Sequence, residues 1–223
     1  MNKPLPILLA FSLLLPTALP AQAPRQITLE DCAMVTRDAK GRRLVRINPE
    51  AVDAYLEPVG SRIMPPPPRF RNAAEKKQAL EILTPIIELL NTAVAASPND
   101  PDTLLRAGYA NGLGYHLQIE DCYEAANRNF ERFLSIRPEH TGGNYLFGMF
   151  LATTREGKRK SIRYLEKASK DPEYDDALFT LGLMYVRVDR KDKALDCLNQ
   201  YLKLHPNHEK TRQVIMAVET GNY

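Results

Sequence analysis

The 223-residue chain predicts an all-α solenoid, a row of helix pairs stacked side by side, behind a short N-terminal arm that reads as a β-hairpin or as irregular chain. Three observations carry that expectation. Pro138, Pro172 and Pro206 follow one another at equal steps of 34 residues, and Pro98 lies one longer step of 40 upstream. A fixed period of this size marks stacked repeats. Gly148 and Gly182 keep the same step. Between the prolines, apolar residues recur three and four apart, as one face of a helix requires.

The last unit is the clearest. Leu178, Leu181, Gly182 and Tyr185 share one helical face, and Ala194, Leu198, Tyr201 and Leu202 share a second. The charged run Asp189 to Asp192 between them breaks the apolar pattern and reads as a turn. Pro206 stops the second helix, because proline lacks the N–H and restricts the residue before it.

These residues resemble the tetratricopeptide repeat, a 34-residue helix–turn–helix unit. Leu178, Leu181, Gly182, Tyr185, Ala194, Leu198 and Pro206 stand where that family has Trp or Leu, Leu, Gly, Tyr, Ala, Phe or Leu, and Pro. Tyr201 departs from the small residue usual there, which predicts a local widening or the end of the array. The resemblance covers about residues 72–219 and implies a right-handed solenoid. In the second unit, Asn144, Phe147, Gly148 and Leu151 match the first helix. Its second helix, Ser161 to Lys170, fits if the turn gains one residue and the end loses one, with Ala168 as the small residue. In the first unit, Leu104, Ala107 and Gly108 open and Ala126, Phe130, Phe133 and Pro138 close, with six extra residues near His116 to Cys122. A rival alignment makes Gly114 the packing glycine.

The implied organisation is 72–100 as a degenerate repeat or N-terminal cap, 101–140, 141–174 and 175–208 as three repeats, and 209–223 as a C-terminal capping helix. Ala73 to Ala96 carries a helical period (Leu80, Leu83, Ile87, Leu90, Val94) that Pro85 is expected to break or kink. His208 to Glu219 is amphipathic, as an end helix covering a stacking face should be.

Residues 1–23 read as a secretory signal: Lys3, an apolar core from Leu5 to Leu15, Pro16 and Pro20, then Ala21-Gln22-Ala23 with cleavage after Ala21 or Ala23. The core is shorter than the roughly 20 residues a span needs. Export is expected, to a periplasm or alternatively to the medium, with no membrane span in the mature chain. In the arm, 24–71, the runs Ala33 to Thr36 and Leu44 to Ile47 flank a turn with Gly41, which favours a hairpin. Pro65 to Pro68 predicts a stiff polyproline II spacer before the helices.

Composition narrows the function. Hydrophobic residues make up 44% of the chain, and 30 Lys and Arg face 27 Asp and Glu, a balance that does not argue for nucleic acid, and no nucleic-acid partner is expected. The cluster Arg155, Lys158, Arg159, Lys160 and Arg163 falls at a turn and reads as solvated. Three cysteines are an odd number for an exported chain. Cys197 reads as a packed hydrophobe, and a Cys32–Cys122 disulfide is one pairing, which would pin the arm to the solenoid. No catalytic constellation, cofactor or metal motif is predicted. His205 and His208 are separated by Pro206 and read as an inter-repeat turn. Gly108, Gly112 and Gly114 follow no strand and read as helix packing, not a phosphate loop.

The resemblance also implies a concave groove, lined three before, one after and four after each packing glycine. Those positions are Leu105, Tyr109 and Gly112; Tyr145, Met149 and Ala152; Phe179, Leu183 and Val186. The Lys, Asn and Arg clamp of the family's chaperone-binding members is not evident. The groove residues are apolar or aromatic and suit an apolar peptide or helix of a partner, or equally the chain's own arm. The implied role is a non-enzymatic exported scaffold or adaptor in envelope or secretion-complex assembly. A secreted effector acting on a host protein and a non-catalytic subunit of an enzyme complex remain open, as does a homodimer.

Overall fold

The computed structural model describes residues 27–223 apart from 38, 42 and 65. The predicted signal, 1–23, lies outside the described residues. In order come a 3-10 turn (Leu29–Cys32), β1 (Ala33–Arg37), β2 (Arg43–Ile47), α1 (Pro49–Ile63), α2 (Ala73–Ala96), α3 (Pro101–His116), α4 (Cys122–Ile136), α5 (Thr141–Thr153), α6 (Lys158–Ala168), a 3-10 turn (Pro172–Tyr174), α7 (Asp176–Arg187), α8 (Lys191–Leu204) and α9 (Glu209–Thr220). α3 packs with α4, α5 with α6 and α7 with α8, and α9 closes the end against α8. α3, α5 and α7 touch in sequence and build one face of the stack.

One glycine per pair sets the close approach. A Cβ on Gly108 would stand 2.9 Å from the Phe130 ring, on Gly148 2.9 Å from Leu165, and on Gly182 2.7 Å from Leu198. Gly108 is therefore the packing glycine of the first repeat. Gly114 faces Cys122 and Ile87 instead, at the far end of α3. Phe130 follows its glycine by 22 residues, Leu165 by 17 and Leu198 by 16. The six-residue insertion is spread over a longer α3, a longer turn and an earlier start of α4. The extra residue of the second repeat lies between α5 and α6, and α6 starts and ends earlier than the Ser161 to Lys170 expected. The caps are polar side chains: Asp100 accepts from Thr103 N–H at 3.1 Å, and His140 Nδ1 accepts from Gly143 N–H at 3.0 Å.

The arm departs most from the sequence reading. Its hairpin is present, antiparallel, with Val35 opposite Val45. A helix follows it that the sequence reading left out. Asn48 accepts from Ala51 N–H, Pro49 takes the first helical position, and Val52, Leu56, Val59 and Ile63 bury one face of α1. Pro58 removes one ladder bond, but it lies on the exposed side. α1 packs on α3, where Arg106 reaches Asp53 at 2.6 Å and Pro49 O at 3.1 Å. The proline run is no straight spacer. The Pro66–Pro67 peptide is cis, and Arg69 N–H donates to Arg62 O at 2.7 Å, which turns the chain back on the end of α1.

α2 runs unbroken through Pro85. Among the described residues it is the one helix long and apolar enough to cross a membrane. Its Leu83, Ile86, Leu90 and Ala93 are fully buried, and the first three join the core of Val52, Leu56, Ala107 and Leu113. The Cys32–Cys122 disulfide is absent: all three cysteines are free and buried. The Cys32 thiol lies 3.7 Å from Ala51 O, while Cys122 fills the space over Gly114, so each is held by its own neighbours. Burial pushes each thiol up to about 11.

Candidate binding trough

Where successive first helices lie side by side, side chains four apart along each helix face the same way. On α3, α5 and α7 this produces a trough of about 1100 Å³. Tyr109, Gly112, Tyr145, Met149, Ala152, Phe179 and Leu183 line it, as the repeat register implies. Leu105 and Val186 do not. Leu105 packs against the buried cluster that holds Phe130 and Phe147, and Val186 against the cluster that holds Leu181 and Tyr185. Several walls lie outside the repeat register. Tyr115 and His116 stand on the extra turn of α3, Phe150 points in from α5, and Tyr201, His208 and Lys210 arrive from α8 and α9. Only the longer α3 left a trace in the sequence, as the insertion.

Aromatic rings cluster at both ends of the trough. Tyr115 meets Phe150 edge-on at 5.7 Å between centroids, and Phe130 stacks on Phe147 at 5.2 Å. At the C-terminal end Phe179, Tyr201 and His208 lie 5.2 to 5.4 Å apart. Tyr201 thus fills the inter-repeat space with a ring, and its hydroxyl donates to Asp176 Oδ1 at 3.0 Å. Burial, then the bond to Asp176, push its phenol up to about 12. Burial, then Asp176 and Asp175, do the same to Tyr145. Both shifts favour the protonated phenol. Burial lowers His116, which favours its neutral form. Lys210 Nζ sits 5.7 Å from the Phe179 centroid.

The two ends of the trough differ. At the N-terminal end the chain covers its own groove: the Tyr109 hydroxyl lies against Gly60 of α1, and Met64, Pro66, Pro67 and Pro68 form the wall. Among the described residues the arm adds no lining beyond these, and Phe179, Leu183, Tyr201 and His208 line the C-terminal end. Among the described residues no group of three or more His, Cys, Asp and Glu could hold a metal. His205 Nε2 lies 2.8 Å from Asp175 Oδ2 and His208 Nδ1 2.6 Å from Thr211 Oγ1, so both rings brace the turn between α8 and α9.

No protein-family model and no curated protein matches the chain. Solved structures do. MamA 41-end from Desulfovibrio magneticus RS-1 superposes with a TM-score of 0.54 at 22% identity, over 67% of this chain and 83% of that one. Pseudomonas aeruginosa pilF gives 0.51 at 17%, over 76% and 68%. YrrB, described as a TPR protein with an unusual peptide-binding site, gives 0.50 at 18%, over 74% and 81%. The chain has the tetratricopeptide-repeat fold. In a tetratricopeptide solenoid the first helices form the concave side, so the trough on α3, α5 and α7 is the concave groove.

Proposed function

We propose that this protein is an exported, non-enzymatic tetratricopeptide scaffold that holds an apolar or aromatic segment of a partner protein in the groove, during assembly of an envelope or secretion complex. The observation that carries the reading is the stretch of groove at Tyr145, Met149, Phe179 and Leu183, half-buried apolar side chains that form part of the lining of the trough of about 1100 Å³. Adaptable Met and aromatic side chains suit such a partner. Export rests on the signal-like residues 1–23, and the periplasm is the compartment proposed. The peptide-binding site of YrrB is consistent with a groove ligand here.

The test places a photo-crosslinking residue at Leu183 in the groove and at Gln200 on the exposed side of α8, in cells. The reading expects one partner protein crosslinked from Leu183 in the periplasmic fraction, and not from Gln200. Equal labelling from both positions, or none from Leu183, overturns it.

A further inference from the structure

The arm hairpin carries a second surface. Asn48 N–H donates to Cys32 O at 2.8 Å, just beyond the pair Ala33–Ile47. Bonded pairs alternate along an antiparallel ladder. Met34–Arg46 and Thr36–Leu44 are therefore the bonded pairs inside the hairpin, and Ala33, Val35 and Arg37 turn their N–H and C=O groups to the other edge. The sheet has two strands, so among the described residues no strand meets that edge. β2 packs on α2, whereas Met34 and Val35 on β1 are 67% and 48% exposed. An open edge with apolar side chains is a template for another strand.

We propose that β1 pairs antiparallel with β1 of a second copy of this chain, about a two-fold axis through Val35. In that register Val35 faces Val35 and exchanges both bonds with it. Ala33 faces Arg37 on either side, and all the outward groups of β1 are used. Met34 meets Thr36 in the intervening pairs, and no like charges are opposed. Glu30 and Asp31 precede the strand, Arg37 ends it and Lys40 follows it. Antiparallel pairing sets the acidic end of one copy beside the basic end of the other, whereas parallel pairing would set like charges together. A self-complementary contact of this kind closes as a dimer, and it converts two marginal hairpins into one four-stranded sheet.

Sedimentation velocity of the purified protein over micromolar concentrations should show a dimer. Val35→Pro removes an outward N–H and no bond within the hairpin, and Val35→Lys puts two ammonium groups on the axis. Each should give a monomer with unchanged circular dichroism. Val35→Cys should form a disulfide-linked dimer on mild oxidation, because a bonded pair spans about 5.5 Å between Cα atoms, within disulfide reach. Met34→Cys alone should not crosslink, while Met34→Cys with Thr36→Cys should. The native thiols are buried and do not compete. A wild-type monomer at every concentration overturns the proposal, as does a dimer that survives Val35→Lys or crosslinks equally through Met34→Cys and Val35→Cys.

Discussion

Tyr109 and Leu183 occupy the same position in their repeats, one residue after the packing glycine, yet they meet different surroundings. Tyr109 lies under α1 with its hydroxyl against Gly60, beside a wall built from Met64 and Pro66 to Pro68. Leu183 lines the other end of the groove, beside Phe179 and Thr180 of its own helix. Register decides which way a side chain points. Whether anything can reach it depends on what packs in front, and at the N-terminal end that is the chain itself.

The largest effect should come from the side chain that holds the first pair together. Phe130 is 1% exposed, sits on Gly108 and stacks on Phe147. Phe130→Ala should lose about 3–5 kcal/mol, read as a lowered urea midpoint. Leu198 holds Gly182 at the other end, and Leu198→Ala should cost about 2–5 kcal/mol. If the N-terminal variant is markedly the milder of the two, the arm does not brace the first repeat and the contrast between the ends fails.

A sharper probe is the contact between arm and groove. Gly60→Ala would drive a methyl into the Tyr109 hydroxyl, with the ring carbon behind it at 3.5 Å. Alone it should destabilise by about 1–3 kcal/mol, as overpacking does. In a Tyr109→Phe background the obstacle is gone, and alanine's helix preference of about 1 kcal/mol over glycine should make the same change neutral or stabilising. A double-mutant cycle in thermal unfolding reads that reversal of sign. Additive effects would mean that α1 does not press on Tyr109.

How much of this was legible follows the same division. The repeat half was legible because each of its rules is local. Pro138 and Pro206 follow helix ends by two residues, and Gly148 and Gly182 fall in register, so composition at fixed spacing carried the pairing. The choice of Gly108 over Gly114 needed tertiary contact, since Gly114 also lies 16 residues before Phe130, the spacing from Gly182 to Leu198. α1 had a start signal in Asn48-Pro49 and an apolar face in Val52, Leu56, Val59 and Ile63. Pro58 and Gly60 masked it, because both read as breakers until the exposed side and the Tyr109 contact explain them. The fates of Cys32 and Cys122 depended on a core that no spacing encodes. Tyr201, Lys210 and the proline wall reached the groove from other elements, so a rule written for first helices could not find them.

The alkaline limb of stability offers a third comparison. Tyr145 and Tyr201 have folded values near 12 against an ordinary 10.0, and the three thiols have values near 11 against 9.0. In each case the protonated form is favoured by the fold. The associated stability is therefore complete below the unfolded values and lost as pH rises through the folded ones. The denaturation midpoint should hold up to about pH 9 and decline toward about 12. Tyr145→Phe should flatten the upper part of that decline. Phenolate absorbance should lag behind that of a free tyrosine until the protein unfolds, and titration of all phenols with ordinary values would contradict the buried setting of both rings.

The smallest effect belongs to the groove itself. Met149 is half-buried, lines the trough and packs only its inner side on the core, so Met149→Ser should cost about 1 kcal/mol. Tyr109→Ser removes a ring on which α1 rests and should cost distinctly more. The order would reverse if the arm were only loosely seated and Met149 were held by tight packing against α7. Equal denaturant slopes for the two variants would show that the same unfolding transition is being compared. With the fold of Met149→Ser intact, loss of the partner crosslink from Leu183 in that variant would then report on binding and not on stability.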